Sequence, residues 1–366
     1  MKITFPHMGT LYIPLKLLLA GLGMEVVVPP PFSKESMNLA VKYSPEGACL
    51  PFKLTLANYI QAMAKGADTV LMGQGYGLCR FGFYTEVQER ILADLGYKCQ
   101  MVLINISQNP LKDLLVKLKE LSGKSWWKVL KAVYLALTTV KALDNLERAL
   151  YKVRPREVCP GESTRVYQSV LKRLEKAKST GEVRRVARTG LKALAAVEQD
   201  AARPILKIGI LGEFYVVLEP FTSSDIEKRL GEMGVEVTKF LYPGDWVGFH
   251  LFLKMFNIFS EHKNAAAAAK PYLGYNVSGD ALQTIGQTVI CAEEGYDGII
   301  QLYPFTCMPE IVAKHVLPKV SEEHNIPVLS LGLDEHSGNA GFVTRLEAFV
   351  DLLGRKKLSC QFPAAK

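Results

Sequence analysis

Three of the seven cysteines in this chain lie in glycine- or proline-containing loops, where the backbone can approach a bulky group closely. They are Cys49, Cys79 and Cys307. Thiolates are soft ligands that suit zinc or an iron–sulfur cluster. A three-thiolate zinc site usually takes a fourth Cys or His, and no histidine stands beside these loops, so the cluster is the favoured interpretation. Three thiolates would leave one iron of a cubane open to a substrate.

The spacing of these cysteines does not by itself indicate a metal site, because the chain contains no C-x-x-C pair. Three unrelated buried thiols are therefore the alternative interpretation. The other four cysteines receive no ligand role. We expect Cys99 and Cys291 to lie in the core, Cys159 to be exposed and Cys360 to belong to the C-terminal tail.

Apolar strand-like segments alternate with helical patterns at both ends of the chain, which predicts parallel sheets covered by helices. Between them the strand pattern disappears and helical periodicity dominates. The sequence thus predicts two Rossmann-like α/β halves that face each other across a cleft, with a helical insert between them. The predicted boundaries are 1–108, 109–203 and 204–366.

The two α/β halves resemble each other in sequence, and each contains a Gly-x-Asp turn that leads from a helix into a buried strand. Cys79 and Cys307 follow these turns at nearly equal spacing. The matched segments are 20–30 with 231–243 and 64–73 with 293–302.

This repeat places one cysteine beyond the C-terminal end of a matched strand in each half. Open parallel sheets bind ligands at those strand ends. Cys49 precedes the helix that leads to the first turn, and its counterpart in the second half falls near Ser278, Gly279 and Asp280. We therefore expect Cys49, Cys79 and Cys307 to share the cleft.

A second candidate segment follows the last predicted core strand and contains Glu335, His336 and Ser337. Because the segment lies at a strand end, we expect its residues to line the cleft. The alternative is a plain loop that caps the next helix.

The formal net charge is +8, and many of the basic residues lie in the helical middle of the chain. No aromatic-plus-basic motif accompanies them, so we expect a solvated face or a docking surface for an acidic partner, and no nucleic-acid binding. The N-terminus lacks a signal-peptide pattern, and no apolar run is long enough to span a membrane. We expect a cytoplasmic protein.

Segments 46–53, 303–311 and 327–349 resemble the 2-hydroxyacyl-CoA dehydratases and the related CoA-substrate-specific enzyme activases. The resemblance is greatest to the cysteine-bearing C-terminal portion of the large activase-like proteins. The chain lacks the Asp-x-Gly phosphate loop of their actin-like ATPase domain, so it is not expected to be the ATPase.

This resemblance implies a [4Fe–4S] or double-cubane cluster bound by Cys49, Cys79 and Cys307. It also implies an ATP-hydrolysing activator that supplies low-potential electrons, and a second homologous subunit or a homodimer. The activity would be that of a dehydratase-like or reductase component acting on a small molecule or an acyl-CoA. Two alternatives stay open: a non-catalytic cluster carrier or electron-transfer protein, and a bilobed small-molecule binder whose cysteines are merely buried.

Overall fold

The computed structural model describes residues 1–75, 77–105, 110–247, 260–336 and 338–361. The chain divides into two compact units, and each unit contains one sheet. The first unit comprises Met1–Leu146, Tyr167–Lys192 and Tyr242–Phe259, and the second comprises Glu147–Val166, Ala193–Leu241 and Ser260–Lys366.

Each sheet has four strands, and all strand pairs are parallel. The strand order is β2-β1-β3-β4 in the first unit and β6-β5-β7-β8 in the second, which is the same topology. These sheets confirm the predicted pair of Rossmann-like halves. The strands are β1 (Lys2–Thr4), β2 (Glu25–Val26), β3 (Thr69–Gln74), β4 (Gln100–Asn105), β5 (Leu206–Gly212), β6 (Val235–Lys239), β7 (Gly298–Pro304) and β8 (Val328–Leu333).

Helices connect the strands, as right-handed crossovers between parallel strands require. The long stretch between β4 and β5 is helical, as predicted, and among the described residues no helix is long and apolar enough to cross a membrane. The helices are α1 (Tyr12–Gly21), α2 (Lys34–Tyr43), α3 (Leu50–Ala64), α4 (Tyr84–Asp94), α5 (Pro110–Ser122), α6 (Trp126–Val153), α7 (Glu162–Leu174), α8 (Thr180–Ala195), α9 (Phe214–Leu218), α10 (Ile226–Glu232), α11 (Pro243–Val247), α12 (Ser260–Ala269), α13 (Ala281–Glu293), α14 (Met308–Glu323) and α15 (Asn339–Gln361).

The same hydrogen-bond pattern anchors the first strand of each sheet. In the first unit the backbone N–H of Lys2 donates to Asp68 Oδ1 at 2.9 Å, and in the second that of Lys207 donates to Asp297 Oδ2 at 2.7 Å. The backbone N–H of each aspartate donates back to the lysine carbonyl at 2.9 Å. These aspartates belong to the Gly-x-Asp turns of the sequence repeat, so the repeat corresponds to a shared local structure.

Close backbone packing in the second unit holds α13 in place. An added Cβ at Gly286 would lie 1.7 Å from the carbonyl oxygen of Ala265 on α12. Real Cβ atoms never approach that closely, so only glycine permits this approach of the two helices. Strand β7, which is buried along its whole length, lies in the sheet that α13 covers.

A buried lysine fixes the end of β6 in the second unit. Lys239 is 4% exposed, and its Nζ lies 3.0 Å from Glu147 Oε2 and 3.4 Å from Glu227 Oε1. The same ammonium lies 5.2 Å from the centroid of the Tyr151 ring. A buried charge is tolerated only when it is paired in this way.

Candidate functional site

Cys49 occupies the N-cap position of α3, with Pro51 in the first turn of that helix. Its backbone is extended, and the residue is only 9% exposed. The Sγ atom forms a buried hydrogen-bonding contact with the hydroxyl of Tyr84 at the start of α4. The thiol is therefore held in a defined orientation at the beginning of the helix.

Cys79 is the N-cap of the short 3-10 helix Arg80–Phe83, which leads directly into α4. The neighbouring Arg80 donates from Nη1 to the carbonyl oxygen of Gly47 at 2.7 Å. Gly47 belongs to the loop that carries Cys49. The first unit thus brings together the two loops that carry its predicted ligands, Cys49 and Cys79.

Cys307 occupies the corresponding place in the second unit, where it is half-buried at the N-cap of α14 directly after β7. The loop predicted to match that of Cys49 lies beside it, because an added Cβ at Gly279 would come within 2.8 Å of Pro309 Cγ. Asp280 is the N-cap of α13. The second unit therefore has a carboxylate where the first has the Cys49 thiol.

These three positions suit sulfur ligands of a cluster. The first N–H groups of a helix have no partner within the helix and favour an anion beside them. No N-cap side-chain hydrogen bond occupies them at Cys49, Cys79 or Cys307. Across the described residues, no group of three or more His, Cys, Asp or Glu side chains is placed to hold a metal ion. Cys49 and Cys79 belong to the first unit, whereas Cys307 belongs to the second.

The remaining described cysteines have other surroundings. Cys291 is fully buried on α13, and burial raises the pKa of its thiol. Cys99 is half-buried just before β4, where burial and then the charge of Glu89 raise its pKa. Cys159 is exposed. A raised pKa keeps a thiol neutral, which does not favour a ligand role.

The second candidate segment lies in the turn that follows β8. Glu335 is half-buried, and His336 is exposed with its backbone N–H bonded to Asp334 Oδ1 at 2.9 Å. Ser337 lies outside the described residues. The turn immediately precedes α15, and no described contact joins Glu335 and His336 into a catalytic pair.

Three carboxyl groups, one buried and two half-buried, lie at the C-terminal end of the second sheet, and the sequence analysis did not single them out. Glu213 directly follows β5, Asp280 caps α13, and Glu310 lies in the first turn of α14. Strands β5 and β7 are neighbours at the switch point of this sheet, where the chain connections diverge to opposite sides. Ligands of open α/β sheets bind at such points.

Backbone N–H groups hold two of these carboxyl groups. Glu213 caps α9, since its carboxyl accepts from the N–H groups of Tyr215 and Val216, both at 3.1 Å. Asp280 Oδ2 accepts from the N–H of Phe214 at 3.2 Å. Both carboxyls therefore lie at the start of the same short helix.

Side chains hold the third carboxyl group, Glu310, which is 0% exposed. The Thr284 hydroxyl donates to its two oxygens at 3.0 and 3.2 Å. Gln301 on β7 donates from Nε2 to Glu310 Oε2 at 2.8 Å, and Ser330 on β8 donates to Gln301 Oε1 at 2.7 Å. A continuous hydrogen-bond chain thus runs across the sheet to Glu310.

Burial raises the pKa of all three groups because desolvation disfavours the charged form. The pKa of Glu213 is raised to about 7 and that of Asp280 to about 6. The pKa of Glu310 is raised to about 8, by burial first and then by repulsion from the other two carboxylates. Within the described residues, no Lys, Arg or His pairs with any of the three.

One sequence signal could have revealed this region. Asp280, Gln283, Thr284 and Gln287 recur at the spacing of one helical face, on a helix that is otherwise largely apolar. A polar stripe on a buried helix needs partners. The pattern indicates polar function at the start of α13, although it does not identify Glu213 or Glu310.

No protein-family model matches the chain, and a comparison with curated proteins found no match either. The function must therefore be inferred from the site geometry and from the residues that carry the resemblance. Both concern the cysteine loops at the ends of the parallel strands.

Proposed function

We propose that this chain is an iron–sulfur protein of the 2-hydroxyacyl-CoA dehydratase-like type, with Cys49, Cys79 and Cys307 as cluster ligands. The observation that carries the proposal is the position shared by the three thiols. Each is the N-cap of a helix or 3-10 helix at the C-terminal end of a parallel sheet. Backbone N–H groups at such positions stabilise sulfur anions and bound clusters.

The contacts within the first unit support this role for Cys49 and Cys79. The bond from Arg80 to Gly47 ties their loops together, so the two sulfurs belong to one local structure. Tyr84 presents its hydroxyl to the Cys49 sulfur. Hydrogen bonds to ligand sulfurs tune the reduction potential of a cluster.

The proposed cluster would be of the [4Fe–4S] or double-cubane type, and it would supply reductive or radical chemistry at an iron that no protein ligand occupies. Its electrons would come from an ATP-hydrolysing activator. The substrate would be a small molecule or an acyl-CoA. The resemblance of segments 46–53 and 303–311, which contain two of the ligands, supports this assignment.

Anaerobic reconstitution of the full chain with iron and sulfide tests the proposal. We expect bound iron and acid-labile sulfide in the wild type, and an EPR signal after reduction with Ti(III) citrate. Cys49→Ala, Cys79→Ala and Cys307→Ala should each lose most of the bound iron. Cys99→Ala is the matched control and should retain it.

A colourless, iron-free protein after reconstitution would overturn the proposal. Equal iron loss in Cys99→Ala would show that the loss reflects unfolding, which circular dichroism of each variant checks independently. Transfer of the cluster to an apo-acceptor without turnover of any substrate would favour a carrier over an enzyme. Arg80→Ala should weaken cluster retention without removing a ligand.

A further inference from the structure

A small pocket opens at the C-terminal end of β5 in the second unit, beside the start of α13. Its polar lining residues are Asp280, Gln283, Thr284 and Gln287, and its apolar lining residues include Leu211, Phe240 and Leu241. Its cavity volume is about 10 Å³. A single water molecule needs roughly 10–15 Å³, so the enclosed part suits a group of one heavy atom, such as an ammonium head group.

Gln287 faces this pocket without a partner. The residue is 7% exposed, and within the described part of the chain its side-chain amide has no hydrogen bond. Among the described residues, the fully buried side-chain atoms without a hydrogen bond do not include this amide, so it is accessible from the pocket and can bond a ligand there. A ligand that supplies a hydrogen-bond donor would satisfy its oxygen.

The charge around the pocket is negative and uncompensated. Asp280 lines the pocket, and the carboxyls of Glu213 and Glu310 are near enough to influence one another electrostatically. None of the three has a cationic partner among the described residues. Partial removal of neighbouring carboxylates from water without a counter-charge is unfavourable, so a cation in the pocket would stabilise their ionised forms.

The side chains that line the pocket favour an organic cation over a metal ion. No group of three or more acidic, His or Cys side chains in the described ranges is placed to hold a metal. An ammonium group instead needs hydrogen-bond acceptors, and the Asp280 carboxyl and the Gln287 amide oxygen are acceptors on residues that line the pocket. The apolar wall suits the carbon attached to the nitrogen.

We propose that this pocket binds a primary ammonium group on a small ligand, with Asp280 and Gln287 accepting its N–H hydrogens. Cys307 is not among the residues that line this pocket, so methylammonium binding can be tested without a bound cluster. Glu213 and Glu310 contribute negative charge from behind the pocket wall. The class of ligand is a short alkylammonium or the amine end of a small metabolite.

Methylammonium chloride is the probe, tested on the full chain at pH 8 by isothermal titration calorimetry and by the shift in Tm. Tetramethylammonium chloride and KCl at equal ionic strength are the reference salts, because neither cation can donate an N–H hydrogen bond. We expect saturable binding and a rise in Tm with methylammonium only, as ligands that bind the folded state require.

Asp280→Asn and Gln287→Leu should each weaken methylammonium binding at least tenfold. Asn at position 280 still accepts from the Phe214 N–H, so this variant preserves the local backbone bond. Glu293→Gln is the matched control, since it removes an exposed carboxylate from the same helix and should bind as the wild type does.

Three results would overturn the proposal. One is the absence of saturable methylammonium binding to the wild type, which requires no variant to fold. Another is an equal Tm rise with all three salts, which would reveal an ionic-strength effect alone. The third is wild-type affinity in folded Asp280→Asn and Gln287→Leu.

Discussion

Glu310→Gln should make the second unit more resistant to unfolding as the pH rises. Glu310 is fully buried and its pKa is raised from 4.5 to about 8, chiefly by desolvation. Glutamine has nearly the same shape and cannot ionise. Its amide oxygen can accept from Gln301, and its NH2 can donate to the Thr284 hydroxyl, so the local hydrogen bonds can persist.

The direction of the pKa shift determines whether the folded state becomes more or less stable as the pH rises. The folded state holds the Glu310 proton more tightly than the unfolded state, so its contribution to stability is complete below about pH 4.5 and is lost as the pH rises through about 8. At 1.36 kcal/mol per pKa unit, the shift sets an upper limit of about 5 kcal/mol. Relaxation of the site and coupled titration of its acidic neighbours should reduce this to about 2–3 kcal/mol.

Hydrogen exchange followed by mass spectrometry measures this effect in the second unit directly. Peptides from β5 and β7 report the free energy of opening at pH 5–8.5 after correction for intrinsic exchange rates. We expect wild type and Glu310→Gln to have similar values near pH 5 and to diverge with rising pH. Glu322→Gln, an exposed position on the same helix, is the control and should remain parallel to the wild type.

A pH-independent difference between wild type and Glu310→Gln would refute the reasoning, because the effect must follow ionisation. The same conclusion would follow if the variant were less stable than the wild type at pH 8. That result would mean that the charge-assisted hydrogen bonds of Glu310 outweigh its desolvation.

The remaining predictions concern packing and a buried ion pair, and urea unfolding followed by circular dichroism measures both. Gly286→Ala should destabilise the chain by about 3 kcal/mol or more, because the added Cβ would meet a backbone carbonyl. Gly341→Ala should instead stabilise the chain by about 0.5–1 kcal/mol, because Gly341 lies in α15 with open space around it. Equal effects at the two glycines would contradict the packing argument. Lys239→Ala should cost about 3–5 kcal/mol because it removes the buried ammonium that faces Glu147 and Glu227. Lys228→Ala removes a half-exposed lysine from a loose i,i+4 pair and should cost less than about 1 kcal/mol. Similar losses of unfolding free energy in both lysine variants would show that Lys239 is effectively solvated.

Local patterns in the sequence were sufficient to predict most of the architecture. Alternating apolar strands and helices indicated two parallel sheets, and the repeated Gly-x-Asp turns indicated that the halves correspond. Helix α2 was missed because it is short and partly polar, with only Ser36 and Ala40 buried. A reciprocal pair of hydrogen bonds between Ser33 and Ser36 starts it, and this pairing is a weaker signal than Ser with Glu or Gln three residues later.

The cysteine positions show how far such local reasoning extends. The loops before α3 and α14 could be recognised as helix starts because glycine and proline flank Cys49 and Cys307. The hydrogen bond from Arg80 to Gly47 could not be predicted from local patterns, because it joins residues that are distant along the chain.

Local patterns along the chain were sufficient to predict the strands, the main helices, the duplication and the positions of Cys49 and Cys307 before helices. That Cys79 is the N-cap of a 3-10 helix came from the structure. Only the tertiary structure brought Glu213, Asp280 and Glu310 to one end of a sheet. The physical reason is that secondary structure follows from short-range periodicity and turn chemistry, whereas a shifted pKa or an unpaired amide depends on burial and on distant neighbours.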